Sequence, residues 1–451
     1  MINSFPIRNS ALRWLEKILS DRFGLPFILS RTNGGLLLTL PSGDGAIIFD
    51  ELPHCFAEVR SDLPMTHWDA QSEGWRSVLG SPLPAPGMSR LAVPLIDARG
   101  RDCLIHYDIP GLTYWMLNRI EEVARTELDK HGRFPAIASH AYKEGYLDRP
   151  VVDEWLDVLG QVIVRQWPGA ELKRQVFTVS MSHDVDQPYQ YLFVSGAGIL
   201  RQVMGDLIKR RAPGLAGSRF MTWMSVRDGN LHRDPFNTFD WIMDHAEKKG
   251  SQAAFYFICG HTNRGLDGNY EVEHPRIRDL LRHIHRRGHE IGLHPSYESY
   301  RRPAQIKHEF DQLRNICEQE GVQQESWGGR MHYLRWEQPE TLQAWDDAGL
   351  AYDSSLGYAD CPGFRCGTCH EFRAFNVKTQ QALNLVERPL ILMECSILDS
   401  EYMGCRDDDS AFSLMQKYRD ACRSVQGNFT LLWHNNNFAR LGDRLMFSRL
   451  I

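Results

Sequence analysis

The sequence predicts an α/β protein: a distorted (β/α)7-type barrel over residues 170–451, preceded by a smaller α+β domain with its connecting helix over residues 1–169. Three observations predict it. Beyond residue 170, seven short apolar runs alternate with amphipathic helical stretches, a rhythm that favours a β/α barrel over an open sheet. Trp167-Pro168-Gly169 ends a long helical pattern and marks the boundary. Four of the runs end in His, Asp or Arg, the position at which α/β barrels keep their active sites.

In the first part, Leu12, Leu15, Ile18, Leu19 and Phe23 share one face of a helix over 11–23, with Ser10 to cap it and Gly24 to stop it. Strand-like runs follow at Gly35–Leu40 and Ala46–Phe49, split by a Pro-Ser-Gly-Asp-Gly turn over 41–45. A Pro-rich segment near 83–94 leads to a third strand at Cys103–Tyr107. A helix is expected over 114–129, and a clearer one over Pro150–Trp167. No cluster of chemistry stands out in this part.

In the second part the strands are Phe177–Ser182, Ala253–Ile258, His289–His294, Trp327–Arg330, Leu350–Ser354, Leu390–Glu394 and Phe429–Trp433. Helices separate them, among them Phe239–Lys249, with Thr238 as its cap, and Pro275–Arg287. One segment breaks the rhythm, Gln187 to Asn237. Its apolar residues from Ile199 to Ile208 run into Lys209-Arg210-Arg211, a pattern that suits a membrane surface but more often packs on its own protein.

Composition narrows the function classes. A net charge of −6 argues against nucleic acid or a polybasic membrane anchor as partner. No apolar run has the roughly 18 residues of a spanning helix. Met-Ile-Asn-Ser-Phe-Pro-Ile-Arg lacks a signal-peptide pattern, so cytoplasmic residence is expected. Ten cysteines in 451 residues are too dilute for a disulfide scaffold. Cys366-Gly-Thr-Cys369-His370 has c-type haem spacing, and with Cys361 it has zinc-ligand chemistry. Free thiols are the favoured reading.

The chemistry lies at four strand ends. The first delivers His183, Asp184 and Asp186; the third ends in His294, followed by Pro295-Ser296-Tyr297-Glu298. The fourth delivers Arg330, His332, Tyr333 and Arg335, and the last His434 with Asn435, Asn436 and Asn437. Each could be a loop residue with a backbone partner. Convergence of all four by accident is much rarer.

These motifs resemble those of the polysaccharide deacetylases, the carbohydrate esterase family 4 superfamily with the chitooligosaccharide-deacetylase-like fold. Gly288-His289-Glu290-Ile291-Gly292-Leu293-His294, Arg330-Met331-His332-Tyr333 and Leu432-Trp433-His434 carry the resemblance, over about residues 170–440. Ser182-His183-Asp184-Val185-Asp186 and His294-Pro295-Ser296-Tyr297 point to a divergent branch with an extra N-terminal domain. The resemblance implies hydrolysis of an N-acetyl group on an amino sugar, assisted by a divalent ion, usually zinc. It implies Asp184 as base, Arg330 as the residue that steadies it, His434 as acid, and the Tyr333 backbone N–H as oxyanion donor. His294 takes the first metal-histidine position, while His289 is left as structural.

Two departures matter. Where the family has its metal aspartate, this chain has Val185, and Asp186 is the obvious substitute. Four residues after His294 stands Glu298 rather than His, so the third ligand is either Glu298 or His332, with His332 favoured. Softer expectations give Asp353 and Arg365 a substrate-binding role, Arg365 for an anionic group. The expected partner is an acetylated amino-sugar glycan or its precursor, in cell-surface polysaccharide synthesis. The alternatives are an O-acetyl esterase and a degenerate deacetylase fold that only binds a saccharide.

Overall fold

Residues 4–41 and 43–451 are described by the computed structural model. The expected turn over 41–45 includes Ser42, and the segment read for a signal peptide includes residues 1–3. Both therefore fall partly outside the described residues.

The N-terminal part opens with the helix Asn9–Phe23, stopped by Gly24 in the left-handed region at φ 73°. Arg8, not Ser10, is its N-cap, and Ser10 Oγ instead donates to Gln380 Oε1 at 3.4 Å. A five-stranded sheet follows, from β1 (Ile28–Thr32), β2 (Gly35–Thr39) and β3 (Ile47–Phe49). The ribbon of β4 (Met65–Trp68) and β5 (Leu83–Pro86) interrupts the chain before β6 (Ile96–Asp97) and β7 (Cys103–Ile105) complete that sheet, in the order β1-β2-β3-β7-β6. The helix expected over 114–129 runs instead over Ile109–Leu117. Asp108 caps it, accepting Gly111 N–H at 2.7 Å, and Arg119 ends the helical run at φ 47°. Beyond it the buried charges of Arg119 and Glu122 also find partners far along the chain, in Tyr358 and Arg365.

The second part is a mixed α/β unit on one large, mostly parallel sheet. Its strands are β8 (Thr178–Val185), β9 (Ala253–Ile258), β10 (Glu290–His294), β11 (Gly328–Gly329), β12 (Tyr352–Asp353), β13 (Phe372–Asn376), β14 (Gln381–Glu387), β15 (Leu392–Met393) and β16 (Asn428–Leu432). They form the row β13-β14-β12-β11-β10-β9-β8-β16-β15, with only the β13–β14 hairpin antiparallel. The sequence reading missed that hairpin, although Leu383 and Leu385 alternate with Ala382 and Asn384 as a half-buried strand requires. Thr238 is the N-cap residue of its helix as expected, but its hydroxyl makes no cap bond and donates instead to Asn435 O at 2.6 Å.

The inner side chains meet over one hollow: Arg330, just after β11, reaches Asp184 in β8, three strands away, at 2.8 Å. Alternation sorts the faces. Phe255, Phe257, Ile291, Leu293, Phe429 and Leu431 pack outward in the hydrophobic core, while Ser182, Asp184 and His294 point to the hollow. Gly329 lets β11 come close, since a Cβ there would lie 1.8 Å from Leu293 O. The core is continuous across residue 170: Trp14 packs on Phe375 and donates its indole N–H to Arg373 O at 2.8 Å.

Candidate active site

β8 delivers the first residues through its period of two. Met181, His183 and Val185 face outward, so Asp184 and Asp186 share the inner side. His183, read with them from the sequence, is turned away from the site. Its Nδ1 lies 2.6 Å from Trp433 O, its ring stacks on Phe255 at 5.1 Å, and burial pushes its pKa down to about 4. Val185 sits in the core. The residue after it, rather than Val185, is the one that can serve the hollow.

Asp186, His294 and His332 bring one ligand atom each to within 4.8 Å of one another. His294 Nε2 lies 3.3 Å from Asp186 Oδ1, and His332 Nε2 lies 3.7 Å from it. Both rings are held from behind. His294 Nδ1 is 2.6 Å from Arg330 O, a carbonyl that can only accept, so the proton sits on Nδ1 and the Nε2 lone pair faces inward. His332 Nδ1 is 3.2 Å from the carboxylate of Asp267, which also accepts Tyr297 N–H at 2.7 Å. Burial would raise the Asp186 carboxyl, but the imidazoles of His332, His294 and His434 hold it well below the usual carboxylate range. Its Oδ1 is buried without a hydrogen-bond partner. Two imidazole lone pairs and an unsatisfied carboxylate oxygen fit a divalent cation, zinc among them.

Glu298 stands apart from this cluster, its Oε2 3.4 Å from Arg335 Nη1. The reason is local. Its segment is a 3₁₀ turn over Tyr297–Arg301, and Glu298 N–H is tied to Thr262 Oγ1 at 2.9 Å. His332 instead opens a short turn right after β11, at the rim of the hollow.

Two further pairs border the cluster. Arg330, fully buried, donates to Asp184 Oδ1 (2.8 Å), Ser182 Oγ (2.9 Å), Ser354 O (2.8 Å) and Ser354 Oγ (3.0 Å). The other carboxylate oxygen of Asp184 faces His294 Nε2 at 3.7 Å. Opposite, His434 Nε2 lies 3.7 Å from Asp186 Oδ2, while its Nδ1 is 2.7 Å from Glu394 Oε1. Burial works against a charge on His434, but the Glu394 carboxylate holds the imidazole well above its ordinary range. Asp267 and Glu394 were missed from the sequence. Glu394 had a signal, a carboxylate at the end of a predicted strand; Asp267 lies in a loop with none.

Tyr333 lines the mouth, and its backbone is in the left-handed region at φ 60°, as is that of Leu334 at φ 54°. The N-terminal part holds it there. Arg133 Nη1 donates to Tyr333 O at 2.8 Å, and the His131 ring packs against Tyr333 at 4.6 Å. Non-glycine residues in this region are uncommon and persist where neighbours over-determine them. Arg133→Ala is therefore expected to loosen this turn, read as faster amide hydrogen exchange at Tyr333 and Leu334. Unchanged exchange would show that Tyr333 keeps its backbone unaided.

The two residues expected to contact substrate are both buried. Arg365 is 3 % exposed, its guanidinium bound to both Glu122 oxygens at 3.0 and 2.5 Å and to Gly357 O at 2.8 Å. It ties the two parts of the chain together in the core. Asp353 is also buried. Its Oδ1 accepts from Ser355 N and Oγ, and burial raises its carboxyl to about 7. All ten cysteines are free thiols. Cys369 and His370 lie near Asp153, but Cys361 and Cys366 are not in that group, and Asp153 already accepts from Thr368 Oγ1 and Cys369 N–H.

Residues 56–168 match a family described as a family of unknown function (DUF7033). No curated protein matches the chain. Among solved structures, the chain is similar to a candidate polysaccharide deacetylase from Mycobacterium smegmatis at 16% identity and a TM-score of 0.39, over 62% of this chain and 83% of that one. For Puue allantoinase the identity is 14% and the TM-score 0.36, over 63% and 84% of the two chains. A candidate polysaccharide deacetylase from Pseudomonas aeruginosa PAO1 gives 13% and 0.37, over 63% and 85%.

Proposed function

We propose that the chain is a metal-dependent hydrolase that removes N-acetyl groups from an amino sugar of a polysaccharide or its precursor. One observation carries the reading: the Asp186–His294–His332 cluster lies between a carboxylate fixed by a buried arginine and an imidazole held by a buried glutamate. In this reading the large sheet is a distorted (β/α)7-type barrel of the divergent deacetylase branch, and residues 1–169 build one wall of its mouth.

A divalent cation, zinc by preference, would be held by Asp186, His294 and His332, where it would polarise the acyl carbonyl and make water more acidic. Asp184 accepts the proton from the attacking water, and Arg330 keeps that carboxylate aimed. The Tyr333 N–H, fixed by its left-handed backbone, would meet the oxygen on which charge develops. His434, protonated through Glu394, gives its proton to the leaving nitrogen. That last feature favours an amide over an O-acetyl ester, because an amine leaves only once protonated.

The direct test is acetate release from N-acetylglucosamine oligosaccharides by zinc-loaded protein, beside a His434→Ala control. Turnover lost in the control supports the reading; saccharide binding without acetate release from any acetylated glycan would remove it. A pH series tests the acid. His434 acts protonated, so activity falls as pH rises through its raised pKa. Glu394→Gln removes the charge that raises it, and the alkaline fall is expected to move to lower pH. An alkaline limb that stays in place would exclude His434 as the acid.

A further inference from the structure

The segment between β8 and the helix Phe239–Lys248 folds into two packed helices, Gly196–Ile208 and Pro213–Arg227. Its own core is small, with Tyr191, Ile199 and Val226 at its centre. Of the nineteen exposed large apolar side chains among the described residues, eight lie on these two helices. Single exposed apolar residues are ordinary, but a concentration of this kind marks a binding face.

The exposed residues follow helical spacing. Leu200, Met204, Leu207 and Ile208 make one stripe, and Phe220, Met221 and Met224 another, with Ile208 65% and Met221 67% exposed. Charge follows the same helices. Between Gly196 and Arg227 stand six Lys or Arg and one Asp, in a chain whose net charge is −6. That single acid, Asp206, is already neutralised by Arg210 and Arg219. Arg201, Lys209 and Arg211 form no ion pair among the described residues. Arg201, Lys209 and Arg210 border a surface hollow of about 500 Å³ whose floor includes Met204 and Ile208, so cations and apolar side chains line one recess.

We propose that this helical hairpin docks on an anionic lipid surface. Apolar stripes flanked by unpaired cations are what an interfacial helix presents to acyl chains and to phosphate headgroups. A soluble acidic protein would satisfy the cations but not the stripes, and an apolar partner would leave the cations idle. The hairpin is rooted at the active-site mouth. Asn435, beside His434, donates to Gln187 O at 3.0 Å and to Phe236 O at 2.9 Å, and the Asp234 carboxylate closes the base on Gln190 and Tyr191 N–H. Docking would therefore tether the mouth to the lipid surface through this hairpin, whatever reaction occurs there.

The experiment is co-sedimentation of the full chain with vesicles of phosphatidylcholine alone and of phosphatidylcholine mixed with phosphatidylglycerol. The chain is expected to sediment with the mixed vesicles and to be released as salt shortens the screening length to about 3 Å near 1 M. The Ile208→Glu/Met221→Glu double variant is expected to partition at least about tenfold less, with an unchanged thermal unfolding midpoint because both sites are exposed. Lys209→Gln/Arg211→Gln is expected to weaken binding to the mixed vesicles. Three results would overturn the proposal: no sedimentation with either vesicle, equal sedimentation with both, or equal partition of the wild type and the double variant. A dimer in light scattering that the double variant dissolves, without vesicle binding, would assign the face to a second copy instead.

Discussion

His332→Ala protein is expected to purify without the divalent cation that both the wild-type and Glu298→Ala chains hold at one equivalent. The two variants separate the ligand sets that the sequence leaves open. His332 Nε2 faces Asp186 Oδ1 at 3.7 Å, with the ring fixed by Asp267, whereas Glu298 faces Arg335. Removing an imidazole from a three-ligand site leaves two, and a partner that merely orients a ligand is worth about 10–100-fold in affinity. Asp267→Asn should thus weaken binding by roughly that factor, and His332→Ala by more. Elemental analysis of the purified proteins, with zinc titration of the stripped forms, reads both. If Glu298→Ala loses the metal and His332→Ala keeps it, the assigned ligand set is wrong.

Asp184→Asn is expected to act twice, on turnover and on stability. Loss of the base should lower acetate release by about 10²–10⁴-fold. The same change leaves Arg330 buried and unpaired, since Asp184 is its carboxylate partner and the guanidinium is fully enclosed. Breaking one side of such a pair costs about 3–5 kcal/mol, which urea unfolding will show as a lower midpoint. The double variant Asp184→Asn/Arg330→Met removes the orphaned charge as well, so it should recover much of the stability and none of the activity. Full activity in Asp184→Asn would remove it as the base; unchanged stability would mean that Ser182 and Ser354 alone satisfy the guanidinium.

The second part of the fold was more legible than the first. Strands such as Ala253–Ile258 were read from the sequence within a residue because an apolar run bounded by Gly and polar residues has few other uses. The helix Pro275–Arg286 was equally plain, with its apolar face and its closing glycine. Among the early strands, Ile28–Thr32 and Met65–Trp68 are short and partly exposed, and they take their conformation from a neighbour rather than from their own pattern. The helix at Ile109–Leu117 was misplaced because a proline in its second position reads as a break until Asp108 is seen to cap it.

Residue types and strand alternation are enough to say which side chains can do chemistry and which of them share a face. The period of two puts Asp184 and Asp186 together and sends His183 and Val185 away, a result of backbone geometry that needs no neighbour. The partners of those side chains come from packing. Arg365 pairs with Glu122 and Arg133 reaches Tyr333 across two hundred residues or more, contacts set by how the two parts pack. Asp267 and Glu394 fix their histidines in the same way, one from a loop 65 residues away and one from the start of a short helix 40 residues away. Local pattern carries no record of such distances, because a charge is drawn to its partner by proximity in space and not by order in the chain.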